Sequence, residues 1–269
     1  MPEPKQPVSY IHGFSPEEQL RLENQGGYLE EKVHADVDLS ERRELLEVGC
    51  GVGAQTETLL RRNPHLRVTA VDFSEAQLEV ARKRVTDLRA RFVQADALAL
   101  PWSEPQFDAA FFCWVLEHVK DPGAVLREAA RVLKPGAIIY CREVLNPVFW
   151  TSPEEPRLLD YWKRFNAFQA ESGGDGEVGG KLGLLLKQAG FRSIETELVH
   201  WIEDARDIEA RNTLCDYLRE IFLSALPSLM NSQLGRADDR QTINSSFDRL
   251  KADPRSSVVF GYIAAKALK

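Results

Sequence analysis

The chain has 269 residues, with 34 Lys and Arg side chains against 41 Asp and Glu, which gives a formal net charge of −7. Its content of 43% hydrophobic and 28% charged residues is typical of soluble globular proteins and excludes disordered and fibrous classes. No run approaches the roughly 18 apolar residues of a membrane span, and the first residues lack the apolar stretch of a signal peptide. We therefore expect a cytoplasmic protein without a membrane partner.

The composition also bears on partners and metals. An acidic chain without a long Lys/Arg cluster is poorly suited to neutralising phosphates, so we expect no nucleic-acid partner. The cysteines Cys50, Cys113, Cys141 and Cys215 are widely spaced and form no C-x-x-C pair. This spacing disfavours disulfides and zinc sites, and we predict reduced thiols and no bound metal.

Residues 1–40 are predicted to form an N-terminal helical arm or cap, and residues 41–145 to form the core. The core alternates short apolar runs, typical of buried strands, with amphipathic stretches of helical spacing. Strands separated by helices predict βαβ units and a parallel sheet with helices on both faces. The predicted strands are Leu45–Val48, Arg67–Val71, Arg91–Ala95, Phe107–Cys113 and Ala137–Val144, and the predicted helices are Gln55–Arg62, Ser74–Leu88 and Pro122–Leu133.

The pattern changes after Leu145. Residues 146–181 form an insert that is rich in aromatic side chains and ends in a glycine-rich loop, and we predict that it acts as a lid. Residues 182–269 are expected to complete the sheet with two strands, 193–201 and 256–268. A second helical insert, at about residues 204–250, separates these strands.

A glycine-rich loop follows the first predicted strand, with the sequence EVGCGVG at residues 47–53. Glycines are needed where the backbone turns sharply and must leave room for a ligand. Gly49, Gly51 and Ala54 also satisfy the dinucleotide pattern G-x-G-x-x-G/A, and Asp72 lies where a ribose-binding acid is expected. An NAD-linked oxidoreductase is therefore one alternative.

Acidic residues end two successive predicted strands, Asp72 the second and Asp96 the third. Together with the segments around them, they form the ordered motifs LLEVGCGVG, VDFS, QADAL, FDAAFFCWVLEHV and VLKPGA. In this combination the segment from about 45 to 144 resembles class I S-adenosylmethionine-dependent methyltransferases of the small-molecule type. The resemblance favours S-adenosylmethionine over NAD. It implies an α/β fold with a Rossmann-like sheet of about seven strands, helices on both faces and helical insertions.

The same resemblance implies roles for residues that would contact S-adenosylmethionine. The glycine loop would lie beneath its methionine part, organised by Glu47, and Asp72 would hold the ribose. Tyr10 and Arg21 are candidates to bind its carboxylate, although Arg21 is equally well explained as an exposed helical charge. The remaining implied contacts are Gly49, Gly51 and Gly53 in the loop, Phe73 on the adenine face, Asp96 and Ala97 at the adenine edge, and the carbonyl of Cys113 facing the amino group.

The sequence indicates less clearly which residues bind the methyl acceptor and remove its proton. An imidazole suits proton removal near neutral pH, so His12 is a candidate base, with Tyr10 and His118 as further catalytic candidates. A role in fixing the loop after the fourth strand is the stronger interpretation of His118. The predicted substrate contacts are Trp114, Arg142, Trp150, Tyr161 and Trp162. For Arg142 a structural ion pair is an equal alternative, and a core-facing helical stripe explains most aromatics of the insert.

The sequence therefore predicts methyl transfer from S-adenosylmethionine to an oxygen, nitrogen or carbon atom of a small molecule by in-line displacement. The alternatives are an NAD-linked oxidoreductase and a protein that binds or uses S-adenosylmethionine without methylating, because cofactor motifs do not report on the acceptor. The identity of the acceptor and the oligomeric state stay open.

Overall fold

The computed structural model describes residues 11–13 and 15–269, and its centre is an eight-stranded sheet. The first five strands are parallel and lie in the order β3-β2-β1-β4-β5, which confirms the predicted βαβ arrangement. Each boundary falls within a few residues of its prediction. These strands are β1 (Glu44–Val48), β2 (Arg67–Asp72), β3 (Ala90–Gln94), β4 (Phe107–Cys113) and β5 (Leu133–Val144).

Three later strands complete the sheet: β6 (Trp150–Ser152), β7 (Arg192–Glu203) and β8 (Ser257–Leu268). Strand β8 runs antiparallel to β5, β6 and β7, so the sheet is mixed rather than wholly parallel. The sequence predicted about seven strands. The additional one, β6, is only three residues long and lies inside the aromatic insert, where so short a segment has no readable alternation.

Local sequence explains where two of the helices begin. The Ser15 hydroxyl accepts a hydrogen bond from the Glu18 N–H, and the Asp121 carboxylate accepts one from the Ala124 N–H, with proline following each cap. Among residues 11–13 and 15–269, no helix is long and apolar enough to cross a membrane. The helices are α1 (Pro16–Val33), α2 (Ala54–Arg62), α3 (Glu75–Arg84), α4 (Pro122–Val132), α5 (Pro156–Glu171), α6 (Val178–Gln188), α7 (Ile208–Ser224), α8 (Leu226–Met230) and α9 (Asp239–Ala252).

The apolar core lies on both faces of the sheet. Neighbouring strand residues point to opposite faces, so Leu45 and Phe111 join one cluster while Leu46 and Phe112 join the other. The first cluster also contains Phe222 of α7 and Phe247 of α9. The helical insert predicted at about 204–250 is therefore part of the core, not an appendage.

The glycine-rich loop of the aromatic insert is closely packed. The Asp175 N–H donates a 2.8 Å hydrogen bond to the Glu117 carbonyl, and a Cβ on Gly174 would lie 2.4 Å from that same oxygen. Gly174 therefore permits the close approach of two backbone segments. The opening of residues 146–181 as a lid stays a prediction.

Candidate active site

A cavity of about 270 Å³ lies at the carboxyl ends of the parallel strands, where ligands of open α/β sheets bind. Its walls come from the ends of β1, β2, β3 and β4 and from helices α1, α5 and α7. Most residues predicted from the sequence meet here. Those that line the cavity are His12, Arg21, Gly49, Gly51, Asp72, Phe73, Asp96, Ala97, Cys113, Trp114, His118 and Trp162.

The glycine loop after β1 uses its glycines in different ways. Gly49 has a φ of 72°, and a Cβ there would lie 2.5 Å from the Val115 side chain. Gly51 has a φ of 51°, and a Cβ there would meet no described atom within 4 Å, so its backbone borders open space. Gly53 does not line the cavity; it precedes α2, and a Cβ there would lie 3.1 Å from the Ala81 side chain and 3.3 Å from the Val85 side chain. Neighbouring side chains thus limit the space at Gly53, and its ligand contact stays a prediction.

The Asp72 carboxylate joins the ends of β1 and β2. One oxygen accepts a 2.8 Å hydrogen bond from the Gly51 N–H and the other accepts a 2.8 Å bond from the Ser74 N–H. Burial raises the pKa of Asp72 above its usual value, and these backbone hydrogen bonds oppose the rise. Each carboxylate oxygen has two acceptor positions, so Asp72 retains capacity for a ligand hydroxyl while holding the loop.

Glu47 supports the same loop from within the core. Its carboxylate accepts a 2.6 Å hydrogen bond from the Thr56 hydroxyl of α2. Burial raises the pKa of Glu47 to about 8, the Thr56 bond opposes this, and the nearby Asp72 charge adds to it. Glu47 therefore holds a proton near neutral pH and fixes α2 against β1.

The end of the cavity near β3 combines polar and apolar groups. The Asp96 carboxylate accepts a 2.9 Å hydrogen bond from the Leu98 N–H, which fixes the turn after β3. The Phe73 side chain is 49% exposed at the cavity wall, unusual for so large an apolar group and suited to covering a flat ligand. Gln77 also lines this end, and sequence reasoning did not single it out.

Aromatic side chains dominate the opposite end of the cavity. Trp162 of α5 stacks on Phe165 with ring centroids 4.7 Å apart, and its indole N–H donates to the Asn146 carbonyl at 3.1 Å. Trp114 follows β4 with a φ of 54°, a backbone conformation that is rare for a bulky residue and occurs preferentially at functional sites. Its ring packs edge to face against Tyr262 at 5.5 Å.

Two histidines and an arginine lie at this end. The His12 ring lies 6.2 Å from the His118 ring, and its Nδ1 lies 2.6 Å from the Ser224 hydroxyl. Burial, Arg21 and His118 together hold the pKa of His12 well below its usual range, so its imidazole is neutral near pH 7. Arg21 makes a two-pronged ion pair with Glu18, with nitrogen–oxygen distances of 2.6 and 2.7 Å. Tyr10 lies outside the described residues.

The loop after β4 is held by buried acids. The Glu143 carboxylate accepts hydrogen bonds from the Val115, Leu116 and Glu117 N–H groups at 2.9 to 3.3 Å. The Glu117 carboxylate in turn accepts a 2.7 Å bond from the Gln169 amide of α5 and lies 3.5 Å from His118. His118 therefore lies in a loop whose backbone and side chains are fixed.

Residues 46–141 match the family described as "Methyltransferase domain". The demethylmenaquinone methyltransferase of Clavibacter sepedonicus is 41% identical over 106 residues, which are 39% of this chain and 42% of that protein. These residues form a class I S-adenosylmethionine-dependent methyltransferase domain. The matched segment thus spans less than half the length of that relative.

Solved structures extend the likeness in fold beyond this methyltransferase domain. Phosphoethanolamine N-methyltransferase 2 of Haemonchus contortus, in complex with phosphomonomethylethanolamine and S-adenosylhomocysteine, has a TM-score of 0.57 at 20% identity. That comparison covers 91% of this chain and 52% of the other. The [4+2]-cyclase SpnF has a TM-score of 0.51 at 22% identity, over 92% of this chain and 80% of the cyclase. At these identities the likeness concerns the fold alone.

Three residues predicted to contact the substrate lie away from the cavity. Arg142 is fully buried, where it forms an ion pair with Asp36 and donates a 2.9 Å hydrogen bond to the Val33 carbonyl, so the structural alternative is correct. The Tyr161 hydroxyl donates to the Phe222 carbonyl at 2.6 Å inside the core. Trp150, on β6, is 53% exposed and does not line the cavity.

Sequence reasoning missed several residues of the aromatic end. They come from the end of β5, from the insert, from α7 and from β8, and only tertiary packing brings them to one wall. Their spacing is that of ordinary core residues, so no local pattern distinguishes them. The missed cavity residues at this end are Val144, Asn146, Phe165, Tyr217, Ile221 and Phe260.

Proposed function

We propose that this chain transfers a methyl group from S-adenosylmethionine to a small-molecule acceptor. The observation that carries the proposal is the convergence of Gly51, Asp72 and Asp96 on one cavity at consecutive strand ends. These groups suit an adenosine with an attached zwitterionic chain, because the carboxylates accept hydrogen bonds from ribose hydroxyls and from an adenine amine. The methyltransferase domain at 46–141 supports the same assignment.

The residues that line the cavity suggest how the ligand would be held. Gly49 and Gly51 would let the backbone approach the methionine part, and Asp72 would bind the ribose. Phe73 would cover the adenine face, with Asp96 and Ala97 at its edge. We further propose that the Cys113 carbonyl binds the amino group and that Arg21 contributes to binding the carboxylate. The bound S-adenosylmethionine supplies a methyl group that is already activated on a sulfonium.

The chain's own task is then to place the acceptor, exclude water and accept a proton where the acceptor is an alcohol or amine. The aromatic end provides an apolar wall from Trp114, Trp162 and Phe165. His12 is a candidate to accept the proton because its imidazole is neutral. We propose that residues 146–181, which supply Trp162 and Phe165, act as the lid over this end.

The proposal is tested with methyl-labelled S-adenosylmethionine and a small-molecule extract, followed by mass spectrometry. We expect stoichiometric release of S-adenosylhomocysteine together with a labelled small molecule, and much less of both with Asp72→Ala at the same, subsaturating concentration of S-adenosylmethionine. If the wild type binds S-adenosylmethionine but transfers no label, the protein uses or senses this ligand without methylating, and the proposal is wrong.

A further inference from the structure

A buried amide side chain joins the aromatic insert to the loop after β4. The Gln169 side-chain nitrogen of α5 donates a 2.7 Å hydrogen bond to the Glu117 carboxylate, across 52 residues of sequence. The Asp175 N–H, further along the insert, donates a 2.8 Å bond to the Glu117 carbonyl. Both Gln169 and Glu117 are buried, and the low dielectric around them strengthens these hydrogen bonds. The insert is therefore fastened to the loop after β4 at one residue of that loop.

The Glu117 carboxylate sets the direction of the hydrogen bonds that follow from it. An ionised carboxylate can only accept, so the nitrogen of the Gln169 amide faces Glu117 and its oxygen faces away. That oxygen accepts a 3.4 Å hydrogen bond from the Asn146 side-chain nitrogen, which also donates to the Asn166 side-chain oxygen at 2.6 Å. The Asn166 nitrogen then donates to the Trp162 carbonyl at 2.8 Å. We call the side chains of Glu117, Gln169, Asn146 and Asn166 the amide chain.

Two glycines of the insert enclose the amide chain. A Cβ on Gly174 would lie 3.0 Å from Cγ of Gln169, and a Cβ on Gly176 would lie 2.6 Å from the Asn146 side-chain nitrogen. The Gly176 carbonyl in turn accepts a 2.8 Å hydrogen bond from the Asn146 N–H. In such close packing, a change at one amide is felt by its neighbours.

The amide chain also reaches the wall of the cavity. Asn146, Trp162 and Glu117 line the cavity, whereas Gln169 does not. The Trp162 indole N–H donates to the Asn146 carbonyl at 3.1 Å, so the position of this ring depends on the residue that Gln169 contacts. In the loop after β4, the Glu117 N–H donates to the buried Glu143 carboxylate at 3.3 Å. Gln169 therefore bridges two segments of the wall from outside the cavity.

We propose that Gln169 is a positioning residue for methyl transfer: it latches the insert onto the loop after β4 and so sets the shape of the aromatic end of the cavity. The proposal rests on the methyl-transfer function given above and adds the residue that keeps the insert closed. Gln169 acts through Trp162 and Glu117. A wall displaced by about 1 Å misaligns the acceptor with the methyl group and can slow transfer by about 100-fold.

The first test measures opening of the insert by hydrogen exchange, without any turnover. Gln169→Glu places a second carboxylate against that of Glu117, and Gln169→Met removes the amide without adding a charge. We expect exchange in residues 146–181 to be at least about tenfold faster than in the wild type in both variants, because buried hydrogen bonds are lost. Unchanged exchange in both variants would overturn the latch.

A double variant tests the latch by rescue. Gln169→Glu combined with Glu117→Gln exchanges the donor and the acceptor of the bond, and the carboxylate introduced at position 169 can still accept from Asn146. We expect exchange in residues 146–181 to return close to the wild-type rate. A double variant that exchanges as fast as Gln169→Glu alone would contradict the proposed bond.

The second test measures transfer of label from methyl-labelled S-adenosylmethionine to the small-molecule extract. We expect the apparent kcat to fall by about tenfold in Gln169→Glu at an unchanged KM for S-adenosylmethionine, and most of it to return in the double variant. Wild-type kcat in both Gln169→Glu and Gln169→Met would overturn the positioning role. So would a double variant with restored exchange and no restored transfer, because the Glu117 carboxylate itself would then be required.

Tyr161→Phe is the matched control for lost stability. It also removes a buried hydrogen bond of α5, but that bond runs to the Phe222 carbonyl of α7 and not to the loop after β4. Its apparent kcat should stay close to that of the wild type although its free energy of unfolding falls. An equal loss of kcat in Tyr161→Phe and Gln169→Glu would show that transfer follows stability alone, and the positioning role would be wrong.

Calorimetry with S-adenosylhomocysteine separates failure of this inference from failure of the proposed function. We expect wild type and Gln169→Glu to bind it with affinities within about twofold, because Gly51 and Asp72 share no hydrogen bond with the amide chain. If the wild type binds no S-adenosylhomocysteine or transfers no label, the proposed function fails, and positioning for methyl transfer fails with it. If the wild type transfers label and both Gln169 variants transfer it equally fast, this inference alone fails.

Discussion

The Gly51 N–H donates a 2.8 Å hydrogen bond to the Asp72 carboxylate, and this bond ties the glycine loop after β1 to the end of β2. Ser74 N–H binds the other oxygen, so Asp72 organises two backbone segments at the cavity wall. The resemblance to methyltransferases assigned Asp72 only a ligand contact. The structure adds that this carboxylate shapes the loop on which the proposed ligand would rest.

Replacement of Asp72 by alanine should therefore affect both binding and stability. The variant loses a charge-assisted ligand contact and the acceptor for two N–H groups, so we expect at least about tenfold weaker binding of S-adenosylhomocysteine and a loss of ~1–3 kcal/mol in the free energy of unfolding. Calorimetry and urea unfolding measure the two effects. Glu75→Ala is the control, because it removes one exposed negative charge from the start of α3. Equal affinities of the two variants would contradict the assignment.

Replacement of Gly51 by alanine separates ligand contact from backbone strain. Gly51 and Gly136 both have positive φ, and a Cβ at either would meet no described atom within 4 Å, but only Gly51 lines the cavity. Both alanine variants should lose ~1–2 kcal/mol of stability, because alanine is strained in this conformation. Only Gly51→Ala should also weaken binding of S-adenosylhomocysteine, as measured by calorimetry. Equal affinity in both variants would place the ligand elsewhere.

The buried carboxyl of Glu47 should make the free energy of unfolding depend on pH. Its pKa is about 8 in the folded protein against a usual value of 4.5, so between these pH values the folded state binds more protons than the unfolded chain. The contribution of this group is fully present below pH 4.5 and is lost as the pH rises to about 8, at ~1.4 kcal/mol per pH unit. Glu47→Gln keeps an acceptor for the Thr56 hydroxyl but has no proton to lose.

Urea unfolding of both proteins from about pH 5 to about pH 8 tests this prediction. The unfolding free energy of the wild type should decline relative to that of Glu47→Gln as the pH rises. Parallel curves for the two proteins would mean that Glu47 titrates normally despite its burial.

The Tyr161 hydroxyl should contribute to the free energy of unfolding and not to the affinity for ligands. Its hydroxyl binds the Phe222 carbonyl within the core, and it does not line the cavity. Tyr161→Phe should cost ~1–3 kcal/mol of unfolding free energy, because the buried carbonyl loses its partner. The affinity for S-adenosylhomocysteine should stay within about twofold. A large loss of affinity at unchanged stability would show that Tyr161 faces the ligand.

The elements that could be predicted from the sequence are those determined by residues close to one another along the chain. Strand β4 and helix α4 follow from a continuous apolar run and from the Asp121-Pro122 cap, and the positions of Asp72 and Asp96 follow from parallel strands ending at one edge. These features depend on neighbours in sequence. They were therefore readable before any tertiary contact was known.

The acceptor end was harder to predict because it depends on contacts between distant segments. Arg142 lies on a strand that is buried on both faces, so alternation could not show that its partner is Asp36 rather than a substrate. His12 and Ser224 are 212 residues apart, and no sequence pattern in either segment predicts the hydrogen bond between them. Trp162 lines the cavity, and its contact with a substrate stays a prediction, whereas Tyr161, one residue away on the same helix, turns into the core.

Calorimetric titration of the wild-type chain with S-adenosylhomocysteine and, separately, with NAD tests the central claim most directly. The convergence of Gly51, Asp72 and Asp96 on one cavity predicts saturable binding of S-adenosylhomocysteine and none of NAD at the same concentration. The Asp72→Ala variant, titrated in parallel, should lose most of that heat. Saturable binding of NAD with no response to S-adenosylhomocysteine would contradict the account.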